Sequence, residues 1–171
     1  MAKLHIPVGI SGSGKSTLWE TLDPPPLIIC PDDIRLELTG DISNQSQNKR
    51  VFDLAFDRVF KAIGAGKDAF FDATNLQRKS IDTLLSIGKR FDAEIFVYLL
   101  EDSKNVELCR ARVGKDMKEG VIRSDTSDAT KKIQERQSQA YIAIIPYIQS
   151  LNFKRDFEIR IIRGPSLPLG S

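Results

Sequence analysis

The sequence has few of the residue types that build metal centres or disulfide frameworks. Its 171 residues include two cysteines, Cys30 and Cys109, and one histidine, His5. The cysteines lie far apart and form no C-x-x-C pair, so we expect free buried thiols rather than a disulfide or a zinc site. A single histidine cannot build a histidine-rich metal centre, and His5 stands inside an apolar run. We therefore expect His5 to be a packed strand residue.

Long apolar runs and a strong excess of one charge are also absent. No run reaches the length of a membrane span, and no signal-peptide core precedes the first apolar stretch, so we expect a cytoplasmic protein without membrane contact. Lys and Arg number 25 against 23 Asp and Glu, which gives a net charge of +2. This balance disfavours a protein that coats nucleic acid by bulk charge. A polyanionic ligand would need a local basic site.

What the sequence does contain is a phosphate-binding motif near its start. Residues 9–17 read GISGSGKST and match the P-loop pattern G-x-x-x-x-G-K-[ST]. An apolar run precedes the motif and a helix-like run follows it, a context that disfavours a flexible loop without a ligand. We expect the loop to bind the phosphates of ATP through its backbone, Lys15 to reach the β- and γ-phosphates, and Ser16 to ligate Mg²⁺. The predicted nucleotide-binding residues are Gly9, Ser11, Gly12, Ser13, Gly14, Lys15, Ser16 and Thr17. Thr17 also suits a packing position in the first helical turn.

Strand-like and helix-like segments alternate along the chain. Apolar runs predict strands at residues 4–8, 27–30, 68–73, 94–100 and 157–162. Helical periodicity and helix-breaking residues predict helices at residues 17–22, 34–38, 43–63, 77–91 and 105–113. Residues 128–150 are predicted to form a final helix, or a pair of helices broken near Pro146. Residues 27–30 are too few and too apolar for a half-exposed strand, so we expect this strand to be fully buried. Short buried strands that alternate with helices form parallel sheets. We therefore expect an α/β fold in which a mostly parallel five-stranded sheet carries helices on both faces.

Two segments differ in composition from this alternating pattern. Residues 114–126 are polar, charged and punctuated by two glycines, which predicts a mobile lid. Residues 164–171 have the composition of an unstructured tail, and the predicted single domain therefore covers residues 1–163.

Polar and charged residues follow the predicted strands. Asp32, Asp33 and Arg35 come after the second strand, and Asp72, Thr74, Asn75 and Arg78 come after the third. One helix beyond the fourth strand lies a basic segment with Arg110, Arg112, Lys115 and Arg123. Because ligands bind at the carboxyl ends of parallel strands, we expect these groups to share one rim with the P-loop.

Phosphoryl transfer needs a proton acceptor, a clamp on the acceptor and neutralisation of phosphate charge. Asp32 is placed to be the general base, with helix capping as the alternative. Arg35, one helical turn on, could clamp an anionic group on the acceptor or could be a solvated surface arginine. Asp72 ends the third strand, where it would support Mg²⁺ through Ser16. The lid arginines would stabilise the transferring phosphoryl group, or they form an ordinary solvated face.

The segments GISGSGKST, PDDIR, QNKRVFDLAFDRV and FDATNLQRKS resemble the P-loop kinases related to the kinase module of bacteriophage polynucleotide kinase. The likeness runs from about Leu4 to Ile162 and implies a P-loop kinase fold. It also implies that Asp32 is the base for a nucleic-acid 5′-hydroxyl, that Arg35 contacts the acceptor's 3′-phosphate, and that Asp72 supports the metal. Of the family's lid arginines, Arg112 fits the first position, whereas Arg123 comes later than the pattern expects.

These observations together predict an ATP- and Mg²⁺-dependent kinase for the 5′-hydroxyl end of DNA or RNA. The resemblance further implies a role in nucleic-acid repair and a separate ligase or phosphatase partner, since the sequence carries neither module. Two alternatives remain open: a small-molecule kinase of the adenylylsulfate or sugar kinase type, and a nucleotide-gated module without a transfer substrate.

Overall fold

The structure is a computed structural model that describes residues 1–118 and 128–164. Its strands are β1 (Lys3–Val8), β2 (Leu27–Ile29), β3 (Ala69–Phe71), β4 (Glu94–Leu100) and β5 (Glu158–Ile162). Its α-helices are α1 (Lys15–Glu20), α2 (Pro31–Thr39), α3 (Asn48–Gly64), α4 (Arg78–Arg90), α5 (Val106–Lys118) and α6 (Asp128–Leu151). Short 3₁₀ helices follow β4 at Glu101–Lys104 and α6 at Asn152–Lys154.

The five strands form one parallel sheet in the order β2-β3-β1-β4-β5. Each strand is joined to the next by at least one helix, which is the connection that parallel strands require. In the longest pairing, Leu4 of β1 lies opposite Ile95 of β4 and Val8 lies opposite Leu99. The predicted α/β fold is confirmed, and the described residues contain the predicted five strands, whose carboxyl ends all meet at one edge of the sheet.

The sheet separates a large core from a small one. The large core lies on the face covered by α3, α4 and α6, and it receives Leu4, Ile6 and Val8 from β1. Because side chains alternate along a strand, the intervening residues face the other way, toward α1. The buried members of that smaller core are Leu18, Phe70, Tyr98 and Leu100.

His5 lies on the face of the smaller core and is 5% exposed. Its ring stacks against Phe96 and Tyr98 at centroid distances of 5.5 and 5.8 Å. Its Nδ1 is 2.7 Å from the hydroxyl of Tyr98. Burial lowers the pKa of His5 from its ordinary 6.5 to about 4, so the ring is neutral at physiological pH. The prediction of a packed strand histidine is confirmed.

Several predicted boundaries are wrong for identifiable reasons. We expected β2 to be fully buried, but it is the edge strand, and Leu27 is 50% exposed. The predicted start of α3 at residue 43 is five residues early. Asp41 and Asn44 instead accept bonds from the N–H groups of Ser43 and Ser46, and such local turns compete with a helix. Both cysteines are free as predicted, although Cys30 is only half-buried.

Helix α5 extends to Lys118, so the first residues of the predicted lid are helical. Residues 119–127 lie outside the described part of the chain, and so do residues 165–171 of the predicted tail. Helix α6 is one helix with Pro146 inside it. In the described ranges, no helix is long and apolar enough to cross a membrane.

Candidate active site

The P-loop leaves the end of the central strand β1 and leads directly into α1. Gly12 has φ +82°, and a Cβ at this position would lie 2.2 Å from the carbonyl oxygen of Cys109 in α5. Gly14 has φ +105° and open space around it. Position 12 therefore requires glycine both for its backbone conformation and for the close approach of α5, whereas position 14 requires it for conformation alone.

Lys15 folds back along the loop. Its Nζ donates to the carbonyl oxygens of Gly9, at 3.1 Å, and Ile10, at 2.8 Å. Ser13 is buried, Ser11 and Ser16 are half-buried, and Thr17 is exposed, so a packing role for Thr17 is wrong. The ammonium group thus lies within the loop that it is predicted to serve.

Three side chains from distant parts of the chain bind successive residues of the P-loop. The N–H of Ile10 donates to Ser103 Oγ at 3.1 Å, and Gln134 Nε2 donates to the carbonyl of Ser11 at 3.3 Å. Arg112 donates to the carbonyl of Gly12 at 3.1 Å. We call Ser103, Arg112 and Gln134 the P-loop collar. Because each member binds backbone, the collar fixes the loop's conformation independently of the loop's own side chains.

Arg112 is the predicted lid arginine, and the structure places it against the P-loop. Its guanidinium forms an ion pair of 2.7 Å with Asp102, and both side chains are largely buried. The pair lies beside the loop that would hold the triphosphate, and neutralisation of phosphate charge by Arg112 stays a prediction. Arg123, the other candidate, lies outside the described residues.

Asp32 and Arg35 meet in the first turns of α2, which begins at the end of β2. Arg35 is 5% exposed, and its guanidinium donates to the Asp32 carboxylate and, at 2.9 Å, to Asn48 Oδ1. The Asp32 side chain stays 49% exposed. The N-cap of α2 is Cys30, and no side chain caps the helix, so a capping role for Asp32 is wrong. A solvated Arg35 is wrong as well, because this arginine is buried.

Asp72 follows β3 at the same edge of the sheet, and its N–H donates to the carbonyl of Ile29 at 2.8 Å. Burial is the main cause that raises the pKa of the Cys30 thiol to about 12, and the negative charge of the Asp72 carboxylate is the second cause. In the described ranges, no three His, Cys, Asp or Glu side chains could hold a metal by themselves. Ser16 and Asp72 offer a hydroxyl and a carboxylate oxygen, the type of ligand that Mg²⁺ prefers, and phosphates and water supply most Mg²⁺ ligands at such sites.

Asn75 has a structural role, whereas Arg78 lies at the surface. The buried Asn75 donates to the carbonyl of Pro7 at 2.7 Å and also bonds within its own loop, so it ties this loop to β1. Arg78 is exposed and lies over the ring of Tyr147 at 4.5 Å.

Sequence reasoning missed Asp102, Ser103, Gln134 and Asn48. The first two directly follow β4, so the rule that ligand-binding groups follow parallel strands would have found them. Gln134 and Asn48 carry no comparable signal, because each is a polar residue in a long helix and acts only through tertiary contact.

The order of the strands and a P-loop after the central one define a nucleotide-binding P-loop protein with a kinase-like fold. The chain belongs to the AAA domain family, whose profile matches residues 4–143. Comparison with curated proteins gives no match.

The solved structures that are similar to the chain include the following two. One is a candidate kinase from Chloroflexus aurantiacus with 13% identity and a TM-score of 0.54, the match covering 78% of this chain and 77% of that one. The other, in the structure of the Pnkp1/Rnl/Hen1 complex, has 28% identity and a TM-score of 0.48. That match covers 56% of this chain and 34% of the other, so the chain spans about a third of the length of this relative. The first likeness supports the fold.

Proposed function

We propose that this protein is an ATP- and Mg²⁺-dependent kinase that transfers the γ-phosphate to the 5′-hydroxyl end of DNA or RNA. The observation that supports this most is the position of Asp32. Its half-exposed carboxylate stands at the same edge of the sheet as the P-loop. β1 leads to the P-loop and β2 leads to Asp32. Only β3 lies between these two strands, so they are about 10 Å apart.

In this proposal the P-loop backbone and Lys15 hold the triphosphate. Asp32 accepts the proton of the acceptor's 5′-hydroxyl, whose oxygen forms a bond to the γ-phosphorus while the bond to the β–γ bridging oxygen breaks and ADP leaves. Arg35 keeps the carboxylate in place, and Arg112 faces the charge that develops on the phosphates. Mg²⁺, held through Ser16 and Asp72, would neutralise phosphate charge.

A nucleic-acid acceptor is favoured over a small molecule by the combination of PDDIR and FDATNLQR. In the resembling kinases the arginine of the first segment contacts the acceptor's 3′-phosphate, and Arg35 stands at that position. The modest net charge of +2 argues for a local rather than a general binding surface. A repair role, a ligase or phosphatase partner and a cytoplasmic location remain predictions.

The test is transfer of label from γ-labelled ATP to an oligonucleotide with a 5′-hydroxyl. We expect label on the oligonucleotide with the wild type and with Lys61→Ala, an exposed lysine in α3, and none with Lys15→Ala. Label on a small sugar or on adenylylsulfate, with none on the oligonucleotide, would favour the small-molecule alternative. Release of inorganic phosphate alone would favour a nucleotide-gated module.

A further inference from the structure

A groove of about 1040 Å³ opens between α3, the start of α4 and α6. Its volume is at the upper end of the range for small-molecule sites, so it offers more room than a compact acceptor needs. It adjoins the candidate active site at two points. Asn48 lines it and accepts the hydrogen bond from Arg35, and Thr74 lines it while its carbonyl accepts the N–H of Gly9 at 3.1 Å. An acceptor seated near Asp32 would therefore extend into this groove.

One wall of the groove is aromatic. Phe52 and Phe56 of α3 line it and are partly buried, and the ring of Phe56 stacks on Phe71 at a centroid distance of 5.1 Å. This packing fixes the wall. Ile133, 44% exposed, supplies an apolar side chain from α6. Flat apolar surfaces of this kind bind unpaired bases by stacking, without preference for sequence.

The charges at the groove have the sign that a phosphate backbone requires. Lys49, Lys79 and Arg136 line it, and Asp53 is the single carboxylate among its lining residues, all of which the structure describes. Asp53 pairs with Lys49 at 2.9 Å. The chain as a whole is nearly neutral, so this excess of positive charge is local.

We propose that the groove holds the nucleotides that follow the reacting 5′ end of a single-stranded acceptor. A base stacks on Phe52, and Arg136 and Lys79 contact phosphates. This inference rests on the proposed function, because it extends the acceptor site of that kinase. On this proposal, Phe52 and Arg136 determine specificity, because they select a polymeric acceptor over a small molecule.

Binding can be measured apart from transfer, by anisotropy of fluorescein-labelled oligothymidylate and oligouridylate with 5′-hydroxyl ends. We expect Phe52→Ala to weaken binding of an octamer by about tenfold, the effect of losing one stacked base. Phe52→Leu keeps apolar bulk and should weaken binding as well, with an unchanged unfolding temperature. Phe60→Ala is the matched control, since Phe60 is an exposed phenylalanine of α3 outside the groove.

Arg136→Gln should lower the slope of log affinity against log salt by about 0.7, the value for one lost phosphate contact on a single strand. Lys132→Gln, an exposed position on the same helix outside the groove, should leave the slope unchanged. Equal effects of Arg136→Gln and Lys132→Gln would count against a phosphate contact at Arg136.

The two proposals fail in different ways. The groove proposal is overturned if Phe52→Ala leaves the affinity for the octamer unchanged, or if Arg136→Gln leaves its salt dependence unchanged. Either result counts whether or not the protein transfers phosphate. Absence of octamer binding would overturn it too. Binding that responds to both variants, without transfer of label, would support the groove and overturn the kinase. Oligodeoxyuridylate and oligouridylate share the same base, so a difference in affinity between them would show which sugar the groove prefers.

Discussion

The two halves of the candidate active site, the P-loop and the region around Asp32, are held in place by different kinds of contact. In the nucleotide half, the P-loop is bound by the collar residues Ser103, Arg112 and Gln134, which lie 93 to 123 residues further along the chain. In the acceptor half, Asp32, Arg35 and Asn48 lie within one short stretch, and their contacts span 3 and 13 residues.

The difference indicates where each half can vary. Backbone groups in the nucleotide half are fixed from three separate elements, which suits a ligand that is the same in every reaction cycle. The acceptor half opens onto a groove and leaves the Asp32 carboxylate half exposed. Substitutions in the first half should therefore alter nucleotide binding and stability, whereas substitutions in the second should alter catalysis or the choice of acceptor.

Asp32→Asn should show the largest difference between the two halves, because it should lower turnover without changing the affinity for ATP. We expect kcat to fall by a factor on the order of 10² to 10⁴, since the proton acceptor is lost. Asparagine can still accept the bond from Arg35, so the dissociation constant for ATP should not change. Asp33→Asn, an exposed neighbour in the same turn, is the matched control. Equal losses of ATP binding and turnover with Asp32→Asn would make this residue structural.

Gly12→Ala should destabilise the nucleotide half. The added methyl group meets the carbonyl oxygen of Cys109 at 2.2 Å, and the φ of +82° is unfavourable for alanine. We expect the free energy of unfolding to fall by about 2 to 5 kcal/mol. Gly14→Ala, where no atom lies within 4 Å, should cost only the backbone strain of about 1 to 2 kcal/mol. Urea denaturation of both variants tests this, and equal losses would contradict it.

Gln134→Met should sharpen the comparison by removing one member of the collar. The lost bond to the Ser11 carbonyl is worth about 0.5 to 1.5 kcal/mol, so we expect KM for ATP to rise by about two- to tenfold with kcat unchanged. KM for the acceptor should also stay constant, and a rise in it would show that the halves are not independent. Gln139→Met, at an exposed position of the same helix, is the control for steady-state kinetics.

His5 lies outside both halves, so His5→Phe should have the smallest effect on activity. The pKa of His5 is about 4 in the folded protein and 6.5 in the unfolded chain. The unfolded chain therefore takes up a proton first, and the free energy of unfolding falls as pH drops from 6.5 toward 4. Phenylalanine removes this contribution. Urea denaturation at neutral pH and at about pH 5 should show a smaller difference for the variant than for the wild type, with the kinetic constants at neutral pH unchanged.

Local patterns predicted most of the fold. The continuous apolar run of β4 was predicted with correct bounds, because a strand buried on both faces leaves no ambiguity. The edge position of β2 could not be predicted, since strand order depends on how distant segments pair. The P-loop and the carboxylate after β2 follow from residue type and spacing. The collar does not, because Gln134 reaches the P-loop only when α6 packs beside it.

The collar residues lie far from the P-loop in the sequence, and this separation has a consequence for synthesis on the ribosome. β1 and the P-loop leave the exit tunnel early, but the complete set of three collar bonds can form only after residue 134 has emerged. The contacts of Arg35 with Asp32 and with Asn48 join residues that emerge close together, whereas the P-loop binds side chains 93 to 123 residues further along the chain. The collar is therefore complete only after the residues of four of the five described strands have been synthesised.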